Sequence, residues 1–156
     1  MADTAFLLTL LNTAPVIDGV RTDRLDEAWP ELPDAGRRAL RTARDLLQDV
    51  VRGRRPATAL APLLDGVRSV PSVTADGVVW AIDADGARAL VVEAVLAWDE
   101  LRRAAPGRLR PCANDECELF LLDRSKSNSA RWCSMATCGN KLKARRHYER
   151  ARRTAE

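Results

Sequence analysis

The chain has 156 residues and 17.2 kDa, the size of one domain with room for one helical core and a small appended module. Apolar residues make up 46% and charged residues 30%, which excludes a wholly disordered chain, and no stretch approaches the roughly 20 uninterrupted apolar residues of a membrane span. The net charge of +3 conceals two regions of opposite sign: residues 1–106 carry 13 Lys and Arg against 16 Asp and Glu, a balance of −3, whereas residues 107–156 carry 12 against 6, a balance of +6. A cationic end on an acidic body is expected of a protein that meets a polyanion, nucleic acid being the commonest in cytosol, although a solvated charged helix has the same signature. Asp3 and the lack of early Lys or Arg argue against a secretory signal before Phe6 to Leu11, so a cytoplasmic location is expected.

In chain order, Phe6, Leu7, Leu8, Leu10 and Leu11 predict a helix of about three turns that ends at Asn12, Thr13 and Pro15. Residues 14–33, rich in Pro and charge, read as a loop. From Asp34, an N-cap candidate, Leu40, Ala43, Leu47 and Val50 or Val51 recur at spacings of three and four and predict an amphipathic helix that stops at Gly53. Leu60, Leu63, Leu64 and Val67 repeat that pattern in a shorter helix. Two Val-rich runs between Val70 and Ile82 flank Ala75, Asp76 and Gly77, a hairpin signal. Asp83 or Asp85 then caps a helix whose inward face is Leu90, Val91, Ala94, Val95, Trp98 and Leu101, closed by Pro106 and Gly107. The expected architecture is mainly α with a small β-hairpin (α+β), divided into a helical domain over 1–106 and a second module over 107–156.

No phosphate loop, Ser-centred nucleophile elbow or His-Glu-x-x-His helix occurs, and the single His, His147, leaves a His-based triad without partners, so the chain is read as no enzyme. Chemistry concentrates instead in the four cysteines, Cys112-x4-Cys117-x15-Cys133-x4-Cys138. Structural zinc takes four such donors at about 2.3 Å, commonly delivered as two close pairs, and the 15 residues between the pairs can run out and back as a β element. Disulfides are disfavoured in cytosol, and unpaired structural thiols more often sit singly in apolar runs than beside Asn114, Asp115, Gly139 and Asn140. An iron–sulfur cluster accepts the same four thiolates, so spacing alone leaves the metal open, with zinc the favoured cofactor. Ser134 is expected to cap the final helix, Phe120 and Trp132 to form a mini-core around the ion, and Arg131, Lys141 and Lys143 to balance its negative thiolates. His147 is expected on the surface rather than on the metal.

Residues 110–153 resemble the zinc finger of the CGNR family. Cys112, Cys117, Phe120, Asp123, Ser125, Lys126, Arg131, Trp132, Cys133, Ser134, Met135, Cys138, Gly139 and Asn140 all fall in place, whereas Lys141 stands where the family has the Arg of its name. A Lys keeps the charge but loses the planar fork for bidentate contact with phosphate or carboxylate. The resemblance implies a treble-clef-like finger. It also implies a preceding, mostly helical domain called ABATE, whose opening signature Leu10, Leu11, Asn12 and Thr13 resemble, and a stress-related regulator of transcription.

Apart from family, Lys141, Lys143, Arg145, Arg146, Arg150, Arg152 and Arg153 fall within 13 residues, with Glu149 the only acid among them. On a helix Lys143, Arg146 and Arg150 share one stripe, and Lys141, Arg145 and Arg152 form a neighbouring one. Such a helix is expected to contact nucleic acid, most readily DNA, through Lys141, Lys143, Arg145, Arg146 and Arg150. The competing expectation is a protein-interaction or small-ligand-sensing module in which zinc is purely structural. A homodimer is a possible assembly, and no membrane partner is expected.

Overall fold

The carboxylate of Asp3 accepts from the backbone N–H groups of Ala5 and Phe6 at 2.8 and 3.1 Å, and so caps the first helix, α1 (Thr4–Leu11). In this computed structural model, which describes residues 3–154, Leu7, Leu10 and Leu11 of α1 are fully buried and the helix stops at Asn12. The next segment is more ordered than a loop. It forms a small hairpin, β1 (Val16–Ile17) with β2 (Val20–Arg21), and a single helical turn, α2 (Leu25–Ala28). Asp18 and Gly19 take φ of 50° and 79°, the two left-handed positions a two-residue hairpin turn needs, and Leu25 anchors α2 by complete burial.

Helix α3 (Asp34–Val51) buries Leu40, Ala43 and Leu47 and ends where Gly53 turns left-handed at φ 72°. The apolar run after it is a 3-10 helix over Ala57–Leu64 rather than an α-helix: Pro62 lies inside it, Leu60 alone is buried and Val67 falls outside. The predicted hairpin forms as β3 (Ser69–Thr74) and β4 (Gly77–Ile82), paired in register from Ser69↔Ile82 to Thr74↔Gly77, with every residue exposed. Helix α4 (Gly86–Ala104) follows Asp85, whose side chain makes no capping bond. It buries Val91, Val92, Ala94, Val95, Ala97, Trp98 and Leu101, while Leu90 is only partly covered. Helices α3 and α4 cross closely at Gly36, where an added Cβ would stand 2.8 Å from that of Ala87.

Beyond α4 the chain forms a third antiparallel pair, β5 (Leu109–Pro111) with β6 (Phe120–Leu122), then one turn of π-helix over Met135–Gly139 and the last helix, α5 (Asn140–Thr154). The fold is α+β: about half the chain is helical and the strands form three two-stranded sheets. Phe120 packs in the same core as Leu7, Leu40 and Trp98, with Leu109 and Leu122 against it. Arg44 is 2% exposed within that core and is satisfied by Asp23 and Asp45, both at 2.9 Å, and by Thr13 at 3.1 Å. Among the described residues no helix is long and apolar enough to cross a membrane.

Candidate metal centre

Cys112 follows β5 directly, and its N–H donates to the carbonyl of Leu119 at 2.8 Å, which carries the β5–β6 pairing one step past Pro111. Residues 113–118 therefore double back as a tight knuckle. Asn114 organises it, its carbonyl accepting from Cys117 N at 2.8 Å and its Oδ1 from Glu116 N at 3.2 Å. The second pair brackets the π-helical turn, with Cys133 just before it and Cys138 inside it. That turn is wide, Gly139 N donating to Ser134 O at 3.0 Å. Ser134 does precede the helical segment, but its side chain makes no capping bond, a correction to the expected cap.

The fold brings Cys112, Cys117, Cys133 and Cys138 together as free thiols whose sulfurs all lie within 4.8 Å of one another. Cys133 Sγ stands 3.7 Å from Cys117 Sγ and 3.6 Å from Cys138 Sγ. A tetrahedron with metal–sulfur bonds of about 2.3 Å has sulfur–sulfur edges of about 3.8 Å, so these separations fit one ion. A disulfide, at about 2 Å, they do not fit. Two N–H groups point at sulfur: Cys133 N at Cys112 Sγ and Asn114 Nδ2 at Cys138 Sγ, both at 3.4 Å. Such donors stabilise thiolates around a metal and orient them.

Electrostatics points the same way. Burial pushes the Cys117 thiol up to about 11 and the Cys133 thiol higher still. At Cys138 burial again opposes ionisation, but hydrogen bonds from the Asn114 amide and the neighbouring thiols outweigh it and the value falls below the ordinary thiol range. Four sulfurs this close together suit the binding of one cation. The donor set fits a structural site in which the four sulfurs would hold one ion.

Asp123 fastens the loop between the two cysteine pairs, a role that the spacing of the cysteines did not signal. Its side chain is fully buried and accepts from Ser125 N and Ala130 N, both at 2.8 Å, and from Arg110 at 3.0 Å. Hydrogen bonding from Ser125, first through its side chain, holds the carboxyl below the usual range. The loop from Arg124 to Ala130 is thereby fastened beside the second cysteine pair. Trp132 and Met135 close on Gly139, where an added Cβ would meet the Met135 sulfur at 2.9 Å and Trp132 Cδ1 at 3.3 Å. Trp132 packs on Gly139, next to Cys138, and Arg131 stacks 5.0 Å from its ring. Phe120, expected in a mini-core around the ion, is instead 1% exposed in the common core, under the guanidinium of Arg52 at 4.3 Å.

The basic helix is split by its own ion pairs. Glu116 of the knuckle takes Lys141 at 2.6 Å and Arg145 at 3.9 Å, and Arg145 also meets Glu149 at 3.4 Å. At 100° per residue Lys143 and Arg145 stand 200° apart, so the two stripes are opposed rather than neighbouring. One fastens α5 to the knuckle. The other, with Lys143, Arg146 and Arg150, is turned away from it, and among the described residues neither Lys143 nor Arg146 has an ion-pair partner. His147 is exposed on α5, 6.2 Å edge-on from Tyr148, and the side chain of Arg153 lies outside those described.

The CGNR zinc finger family matches residues 108–151, which contain the whole sulfur cluster and most of α5. No curated protein matches the chain. The match and the four-sulfur geometry together indicate a bound metal ion, with zinc the ion that the family and donor set favour.

Proposed function

We propose that the chain is a zinc-dependent regulator of transcription that holds DNA through the outward stripe of α5. The observation that carries this reading is the division of the basic helix. Lys141 and Arg145 are spent on Glu116, whereas Lys143 and Arg146 stand on the opposite face and, among the described residues, have no acid paired to them. Zinc does no chemistry in this scheme; it fastens the knuckle to which α5 is tied. In keeping with the resemblance, residues 1–106 are proposed as an ABATE-like domain, with Asn12 and Thr13 as its signature pair, in a cytoplasmic, non-catalytic protein.

The test is duplex DNA binding by the zinc-loaded chain between 50 and 200 mM salt. Three phosphate contacts, from Lys143, Arg146 and Arg150, give a slope of log affinity against log salt of about −3. K143E/R146E should abolish binding with zinc content unchanged. Binding that ignores salt, or that survives the double reversal, contradicts the proposal.

One observation favours a second reading, that of a ligand-sensing module. A cavity of about 180 Å3, lined by Val50, Val51, Trp98, Leu101, Ala105 and Leu109 among others, lies where α3, α4 and β5 meet. It suits a small apolar molecule, and a screen of such compounds for thermal stabilisation separates this reading from the first.

A further inference from the structure

The β3–β4 ribbon is the part of the molecule least explained by a DNA-binding role. Cross-strand partners share a face, so the register places Pro71 with Trp80 and Val73 with Val78 on the same side as Ile82. Trp80 is 67% exposed, Val73 84% and Val78 62%. A two-stranded hairpin is marginally stable in water on its own, and one that shows a whole apolar face needs a cover. Between Ser69 and Ile82 the only charge is Asp76 in the turn, so recognition by this ribbon is by shape and apolar contact.

The same side runs into a groove. Ile82 lines a cavity of about 370 Å3 with Val92 and Leu96 of α4, and Leu96 is 40% exposed there. A projecting apolar ribbon and, at its foot, a groove that is apolar at Ile82, Val92 and Leu96 with Glu93 and Glu100 also in its lining are, on one chain, the two halves of a self-complementary surface. Charge agrees: Arg68 precedes the ribbon, Glu93 lines the groove, and among the described residues neither has an ion-pair partner.

We propose that the chain forms a twofold dimer in which the ribbon of each copy lies in the α4 groove of the other, Trp80 and Val73 packing beside Leu96 and Arg68 pairing with Glu93 across the interface. The uncovered apolar side chains of ribbon and groove present on the order of 600 Å2 per copy, so two copies bury roughly 1,200 Å2 before any polar rim is counted, the lower bound for a specific stable interface. A different protein would need to supply both a groove and a ribbon of its own to cover the same surface. A second copy brings both.

Sedimentation of the zinc-loaded full chain over the micromolar range tests this. The wild type should sediment at twice the 17.2 kDa chain mass. V73S/W80S changes only exposed ribbon side chains and should raise the dimer dissociation constant about 100-fold or more, with helicity and zinc content unchanged. L96E should do the same from the groove. R68E and E93R should each weaken the dimer, and their combination should restore it. A wild type that stays monomeric throughout, or a dimer indifferent to V73S/W80S and to L96E, overturns the proposal and leaves the ribbon to another protein or to a lipid surface.

Discussion

The carboxamide of Asn12 acts as a strand partner to Phe120: its Nδ2 donates to the Phe120 carbonyl at 3.1 Å and its Oδ1 accepts from the Phe120 N–H at 2.8 Å. One side chain at the end of α1 thus satisfies both backbone polar groups of Phe120 in β6, 108 residues away in sequence. Arg52 adds a second tie, donating to the carbonyl and carboxylate of Glu118 at 2.8 and 2.6 Å while stacking on Phe120. The strand that leaves the first cysteine pair is therefore part of the helical core.

Asn12→Ala strands both groups of Phe120. A loss of about 1–3 kcal/mol is expected in urea unfolding of the zinc-loaded protein, with zinc content unchanged. Unaltered stability would show that the two hydrogen bonds are replaced by water at no cost.

Phe120→Ala empties a fully buried site, and its cost should be about 3–5 kcal/mol, felt by the whole molecule rather than by the metal module alone. Helical and near-metal signals should unfold together. If the near-metal signal alone shifts, the shared core is the wrong description.

The main helices, the Asp76–Gly77 hairpin and the cysteine set were legible in the sequence because each has a local signature: an apolar period, a turn dipeptide, paired thiols. What escaped is either very short or non-local. The short hairpin at Asp18 and Gly19 has the same turn dipeptide as the longer one, but its two-residue strands are too short to show alternation. Phe120 and its neighbours looked like the core of a small separate module because sequence distance concealed Asn12 and Arg52. Asn114 and Asp123 act through hydrogen bonds to sulfur and to loop backbone, which no spacing predicts. The two cationic stripes were legible in the sequence, but not that Glu116 ties one of them to the knuckle.

Asp23 sets an acid limit on the fold. Burial opposes its ionisation, but the hydrogen bond from Arg44, the backbone N–H of Leu25 and the charges of Arg44 and Arg41 outweigh it and hold the carboxyl at about 2, against 3.8 unperturbed. A carboxylate depressed on folding contributes stability that is fully present above about pH 4 and is lost as pH falls through about 2. Because Asp23 is more than a third exposed, solvent screening reduces the contribution to about 1 kcal/mol. Asp23→Asn should flatten the decline in stability between pH 4 and pH 2, read by urea midpoints, and an unchanged decline would assign it to other groups.

Glu116→Gln should release Lys141 and Arg145 from the knuckle. Arg145 keeps Glu149, so if α5 meets phosphates the one freed cation, Lys141, steepens the salt slope by up to about 1 and raises affinity at low salt, while zinc stays bound. A shallower slope would mean that the position of α5, held by Glu116, matters more than its charge.

The order of the C-terminal module depends on four sulfurs enclosing one ion. Metal content of the reduced, native chain, followed through chelation and stepwise zinc return, tests it most directly. The account predicts one zinc per chain, cooperative loss of order over residues 112–139 together with lower stability of the helical core on removal, and full recovery at one equivalent. A metal-free chain with unchanged folding, or one zinc retained by Cys133→Ser at undiminished affinity, contradicts it.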